Sequence, residues 1–310
     1  MAQGGTAEAR LGAGLDPRLL RTFLAVCREN SISGAARLLG VSQPSVSVAI
    51  AQLEQRLGTT LFERSRQGIV LSSEGQALEQ HAEMLDHLLR DAQQSVALAS
   101  RGVRGPLRIG GTPGALVSLV PDAIARMEES GSRFSLQIVE NPDGELADLL
   151  RSGEIEVALA TTTLDAPPED IVERSIARDP FALIVGRAHD RLGPSVSLRE
   201  ITNFGWVLPR AAGAFHRQID ALFMAAQVSA PTDVIRCDSL LTSKAIVRAG
   251  RRVTVLPRGV VAAELAHGEL RALPITDIEI IRTIGVRTLA GRRLSPLAAA
   301  FIEGVVASNP

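Results

Sequence analysis

Residues 31–64 read SISGAARLLGVSQPSVSVAIAQLEQRLGTTLFER, and the order of small, capping and apolar residues in them decides the fold of the N-terminal part of the chain. Gly40 suits the left-handed turn that closes a helix, so Ser33–Leu39 reads as a short helix ending there. A new helix starts at once: Ser42 is a hydroxyl cap, and Pro44 falls in the first turn, where its missing N–H costs nothing. Val46, Ile50, Leu53 and Leu57 then recur at helical spacing as one apolar face, and Gly58 stops the helix. Pro44, Ser45, Ser47, Val48, Ala51, Gln52 and Gln55 point away from that face. Small side chains allow close approach to base edges. Gln43 or Gln52 can bond an adenine edge in two places, serine hydroxyls suit phosphates or bases, and Val48 can touch a thymine methyl.

Upstream, Asp16-Pro17 supplies a cap followed by proline at the first helical position, and Leu19, Leu20, Phe23, Leu24 and Val26 follow at helical spacing. Residues 1–14 are Gly- and Ala-rich without an apolar period and read as a tail. Downstream, Thr60–Glu63 and Ile69–Leu71 flank Arg64-Ser-Arg-Gln-Gly68 and read as a hairpin. From Ser73 to Ser100 there is one long helix in which Leu78, Leu85, Leu88, Leu89 and Val96 fall near heptad spacing. A helix of that length with one apolar stripe needs a partner, and a second copy of itself is the simplest. Residues 100–106, SRGVRGP, read as a joint.

Beyond Pro106 strand-like and helix-like segments alternate. Leu107–Ile109, Leu136–Val139, Val157–Ala160, Phe181–Val185, Trp206–Leu208, Val253–Leu256 and Ile280–Val286 read as strands. Val120–Glu129, Glu145–Ser152, Ile219–Ala226 and Leu240–Ala249 read as helices between them. This pattern predicts α/β units with largely parallel sheets, in two lobes, with a ligand crevice at the carboxyl ends of the strands.

Net charge is −1, which by itself argues against a nucleic-acid partner. Its distribution argues otherwise. Leu15–Val70 carries seven arginines against four acids, an excess of +3, and Leu71–Asp91 carries one arginine against five acids, −4. The two cysteines, Cys27 and Cys237, are too far apart in sequence for a metal knuckle and too few for a disulfide framework. No 18-residue apolar run and no basic-then-apolar leader is present, so the expected location is the cytoplasm. His81, His87, His189, His216 and His267 show no metal-ligand spacing, and neither GxSxG, SxxK nor a P-loop occurs. An enzyme is therefore not expected, and neither a catalytic residue, a metal nor a cofactor is assigned.

The span 31–64 resembles the winged helix-turn-helix of LysR-type transcriptional regulators. GAARLLGVSQPSVS matches the family's small-residue helix and turn, Leu53-Glu-Gln-Arg-Leu-Gly58 its L-E-x-x-L-G, Leu61-Phe-Glu-Arg64 its L-F-x-R, and Leu71-Ser-Ser-Glu-Gly75 its L-T-x-x-G. The resemblance implies that the helix carrying Ser42, Gln43, Pro44, Ser45, Ser47, Val48 and Gln52 enters the major groove of a double-stranded operator, while Arg64 and Arg66 in the wing reach phosphates or the minor groove. Where many family members carry arginine this chain has Val48, which implies a shifted operator preference.

LRIG at 107–110, SGEIEVALA at 152–160 and VLPRGVVAAEL at 255–265 are similar to the family's effector-binding region, which is itself similar to two-lobed periplasmic binding proteins. The implied architecture is an α/β multidomain chain: a tail at 1–14, a winged helix-turn-helix at 15–72, a linker and dimerisation helix at 73–100, a hinge at 101–106 and an effector domain at 107–310. Its first lobe spans about 107–179 and 280–310, its second about 180–279. Carried over from the family, the effector contacts are Thr112, Pro113, Gly114, Thr161, Thr162, Phe215 and Ser239. GGTPG at 110–114 precedes a helix, so its free N–H groups and the Thr112 hydroxyl can hold a carboxylate. A carboxylate, an aromatic acid or a sugar all fit this lining. The expected partners are operator DNA, that small molecule, a second copy in a homodimer or homotetramer, and RNA polymerase, with no membrane.

Overall fold

The computed structural model describes residues 15–65, 68–163, 165–210, 214–279 and 281–309. The chain separates into two compact units, with the main boundary in a long helix between Val96 and Ala97 and the short segment Arg151–Glu154 grouped with the first.

The first unit opens with three helices, α1 (Pro17–Glu29), α2 (Ile32–Leu39) and α3 (Gln43–Leu57). Each starts on a polar cap that satisfies an amide the helix cannot: Asp16 accepts from Arg18 N at 2.9 Å, Ser31 from Gly34 N at 3.2 Å and Ser42 from Ser45 N at 3.3 Å. Gly40 and Gly58 close α2 and α3 with φ of 67° and 70°, where a side chain would be strained. Phe23, Val26, Ala35, Val46 and Leu53 form the buried centre, and Phe62 packs on Phe23 with ring centroids 5.2 Å apart. Strands β1 (Phe62–Ser65) and β2 (Gly68–Leu71) pair antiparallel from Phe62↔Leu71 to Ser65↔Gly68.

The hairpin hands over to α4 (Ser73–Ala99) through a tight junction. Ser72 Oγ donates to Thr60 O at 2.7 Å and accepts from Gly75 N at 3.0 Å, while Ser72 N donates to Leu61 O. A Cβ on Gly75 would sit 2.2 Å from the Leu61 carbonyl oxygen, so only glycine lets the helix pass this close to the wing. Leu78 and Leu85 of α4 pack against the core of the same head, beside the buried Ala82. Asp86 draws in Arg21, Arg28 and Arg90 at 3.4, 3.9 and 2.7 Å, tying α4 to α1.

The second unit begins with β3 (Arg104–Gly111), α5 (Pro113–Glu129), β4 (Phe134–Glu140), α6 (Leu146–Ser152) and β5 (Val157–Thr162). A 15-residue strand β6 (Ile171–Val185) follows, then β7 (Trp206–Leu208), α7 (Ala214–Ala225), β8 (Val234–Arg236), α8 (Leu240–Ala249), β9 (Thr254–Pro257), α9 (Ala262–Ala266) and β10 (Arg271–Pro274). The chain returns on β11 (Ile281–Leu289) and ends with α10 (Pro296–Ser308).

The sheet is mixed, which corrects the expectation of largely parallel pairing. β3 runs parallel to β4 and β5, but β11 is antiparallel to β5 and β6, and β6 to β9 and β10, while β7 and β8 form a separate parallel pair. The reversal has a geometric cause. Residues 171–180 of β6 pair with β11, and residues 181–185 pair with β9 and β10, so the chain leaves the first lobe on β6 and must run back beside it. The first lobe is centred on Leu107, Ile109, Leu119 and Phe301, the second on Trp206, Leu222, Phe223 and Val255.

Helix α5 starts seven residues before the predicted Val120, because Thr112-Pro113 is a helix start and the helix tolerates Pro121 in its interior. Strands β8 and β10 and the first ten residues of β6 carry too many charged or exposed positions to show a clear period. Among the described residues no helix is long and apolar enough to cross a membrane.

Candidate functional site

Helix α3 buries Val46, Ile50 and Leu53 against the head and leaves Gln43, Pro44, Ser45, Ser47, Val48 and Gln52 exposed, with Val48 at 55%. Leu57, expected on the apolar face, lies at the helix end and is 36% exposed. Ser42 is occupied by capping: besides the Ser45 amide, its Oγ lies 2.8 Å from Ser45 Oγ. The first turn of α3 is thus capped by a side chain and bears no side chain larger than glutamine.

Glu54 is a determinant that the sequence reading quoted without assigning a role. It sits on α3, and its Oε1 accepts from Leu61 N at 2.8 Å and from Phe62 N at 3.4 Å. The carboxylate therefore satisfies the amides at the start of the wing and fixes it to α3. Arg64 lies on β1, paired with Ile69, and Arg66 falls outside the described residues. Of the residues expected to pair two copies, Leu78 and Leu85 face their own head, Leu89 is half-buried beside Leu24, and Leu88 and Val96 stand exposed.

In the second unit a crevice of about 520 Å³ opens between the two lobes. The first lobe lines it with Thr112, Pro113, Gly114, Asp143, Thr161 and Arg282. The second contributes Leu208, Phe215, Cys237, Asp238 and Leu256, with the buried polar side chains of Gln218, Ser243 and Thr254. Thr112 is the N-cap of α5 but makes no side-chain capping bond, and its Oγ1 is buried without a partner. Pro113 has no N–H, and the amides of Ala115 and Leu116 both bond to Thr112 O at 3.0 Å, which leaves the Gly114 amide as the open donor of that turn. Helix dipole, open amide and hydroxyl all favour an acceptor here.

Five of the seven residues carried over for the effector line this crevice; Thr162 and Ser239 do not. Side chains on a strand alternate, so Thr161 faces the crevice while Thr162 turns to the other side, 2.9 Å from Ser175 Oγ. Ser239 caps α8, its Oγ accepting from Thr242 N at 3.3 Å, and Cys237 and Asp238 form the wall beside it. Phe215 fills two roles at once: it lines the crevice and stacks on Phe181 with centroids 6.2 Å apart.

Sequence reasoning missed Arg282. It was the one charged side chain within the apolar run Ile280–Val286, an isolation that marks a buried charge. Burial holds its guanidinium below the usual arginine range, although Asp179, 2.8 Å away, works in the opposite direction.

Residues 17–76 match the family model of the bacterial regulatory helix-turn-helix protein, lysR family, and residues 100–309 match the LysR substrate binding domain. The HTH-type transcriptional regulator GalR of Pseudomonas putida is 26% identical over 298 residues, 96% of this chain and 75% of that one. The HTH-type transcriptional regulator PcaQ of Agrobacterium fabrum is 27% identical over 274 residues, 88% of each. The full-length CbnR structure complexed with its target DNA is similar in fold, with a TM-score of 0.66 at 22% identity, covering 95% of this chain and 100% of that one.

Proposed function

Since the chain belongs to the lysR family of bacterial transcriptional regulators, we propose that α3 is its base-reading element and the crevice its effector site. The observation that carries the first part is the exposed, capped start of α3. Gln43 and Gln52 offer paired donors and acceptors there, the serines offer hydroxyls, and Val48 offers a methyl contact. Ser42 acts by capping the turn that presents these groups. Arg64 and Arg66 are assigned to the backbone and minor groove, contacts that position the head without specifying sequence.

For the crevice, the supporting observation is the unpartnered Thr112 hydroxyl beside the open Gly114 amide, because a buried polar group without a partner carries a desolvation cost that a ligand removes. Effector binding then shifts the population of lobe arrangements, and through it the geometry of the paired heads on bent DNA, which RNA polymerase reads. Two copies pair through Leu88 and Val96 of α4, with Leu89 at the edge of the contact.

The test is binding of the full chain to a randomised duplex library, followed by the selected operator and its single-base variants. Gln43→Ala is expected to relax preference at one position by about 1–3 kcal/mol. Arg64→Ala is expected to weaken all sequences alike. Equal effects of both changes across every variant would remove α3 from base reading.

A further inference from the structure

The floor of the crevice carries a charge that the reading above does not use. Arg282 and Asp179 face each other in the β6–β11 register, with side chains 5% and 7% exposed. Arg282 Nη2 donates to Asp179 Oδ2 at 2.8 Å, and Asp179 Oδ1 accepts from Gly259 N, also at 2.8 Å. Arg282 Nε is buried and has no partner. Its Nη1 lies against Gly114, where a Cβ would approach within 2.6 Å, so glycine is what lets the guanidinium reach the start of α5. A guanidinium has five N–H donors, and the carboxylate opposite takes one of them here.

The other carboxylates on the wall are each paired with an arginine of the protein. Asp143 pairs with Arg287 at 3.0 Å and Asp238 with Arg210 at 2.6 Å, so each already has a counter-charge from the protein. Among the described residues, the rest of the second-lobe surface carries no further charge and includes Leu208, Phe215 and Leu256, with the uncharged polar groups of Gln218, Ser243 and Thr254. The charge balance favours a single negative charge. Arg282 and Asp179 cancel, and a monoanion leaves one net negative charge facing the helix N-terminus, whereas a dianion leaves two in a buried site.

We propose that the effector is a small organic monocarboxylate and that Arg282 is its counter-charge, acting with the Gly114 amide and the Thr112 hydroxyl while the apolar body lies along Phe215 and Leu256. This rests on the crevice being the effector site. It also gives the site a route outward. Asp179 and Arg282 stand on the two strands that join the lobes, and Asp179 holds Gly259 of the second lobe. A carboxylate that draws the guanidinium toward α5 weakens its bond to Asp179, so occupancy acts on the crossing itself.

The experiment is thermal unfolding of the full chain with matched acids and amides, hexanoate against hexanamide and benzoate against benzamide, at constant ionic strength. The wild type is compared with Arg282→Lys, with the double variant Arg282→Gln/Asp179→Asn and with Phe215→Ala. The double variant removes both charges together, so no carboxylate is stranded in the interior. At least one acid is expected to raise the melting temperature saturably where its amide does not. The double variant is expected to lose at least tenfold in apparent affinity for that acid, and Arg282→Lys to fall between. Equal shifts with acid and amide that Phe215→Ala abolishes overturn the charge assignment and leave the crevice reading standing. Shifts that Phe215→Ala leaves untouched, or no shift with any acid, overturn the proposal. If no acid or amide gives a shift, a neutral sugar series tests the crevice reading separately.

Discussion

Glu54 shows how much one side chain can hold in a small head. Its Oε1 serves the amides of Leu61 and Phe62, where the chain has left α3 and turns into the start of β1. Glu54→Ala strands both donors and is expected to cost the head about 1–3 kcal/mol. Trp206, the sole tryptophan, lies in the second unit, so its fluorescence does not report on the head; amide hydrogen exchange across α1–α3 does. Glu54→Gln, which keeps an acceptor oxygen, is expected to recover part of the loss. Cys27 makes the opposite point, that a reactive residue type can be silenced by its place. Burial first, and then the charge of Glu79, push its thiol up to about 12. At pH 8 the thiolate is then about one part in ten thousand. Iodoacetamide is expected to label half-buried Cys27 far more slowly in the folded chain than in urea, as read by peptide mass spectrometry; rapid labelling without denaturant would contradict the raised thiol.

The junction of wing and long helix sets two element-level preferences against each other. Alanine is favoured over glycine inside a helix by about 1 kcal/mol. At Gly75 the sign is expected to reverse, because the added carbon meets the Leu61 carbonyl, a backbone atom that cannot swing aside. Gly75→Ala is expected to destabilise the head by about 1–3 kcal/mol and to speed exchange of the β1–β2 amides; a stabilised variant would mean that the wing and α4 are not in register as described. The same elements show what a sequence can disclose. Helices α1 to α3 were legible from their end signals, Asp16-Pro17 for α1, Gly40 for α2 and Ser42 with Gly58 for α3, while the Ser31 cap went unread and α2 starts at Ile32 rather than Ser33. The early start of α5 was half-legible in Thr112-Pro113 and obscured by Pro121. The first part of β6 was not, since IVERSIARDP alternates with no clean apolar period and gains its structure from β11, more than a hundred residues later. Arg282 was hidden for a related reason: nothing near it in sequence says that Asp179 is its neighbour.

Across the whole molecule, the near-zero net charge conceals an N-terminal head at +3 followed by an acidic stretch at −4. A head with so modest an excess binds DNA weakly alone, so operator affinity is expected to depend on two or more heads acting together. It is also expected to fall with salt, by about one logarithmic unit of affinity per logarithmic unit of salt for each phosphate neutralised; fluorescence anisotropy between 50 and 200 mM salt measures the slope, and a flat line would remove counterion release from the account. One further property follows from the path of the chain through the second unit. The chain enters the second lobe on β6 and leaves it on β11, and this entry and exit are direct neighbours at Pro180 and Ile281. A segment whose two ends meet in one ladder is a removable cassette: exchanged between relatives at that seam, it would carry half of a ligand preference with it and leave the fold of its host closed.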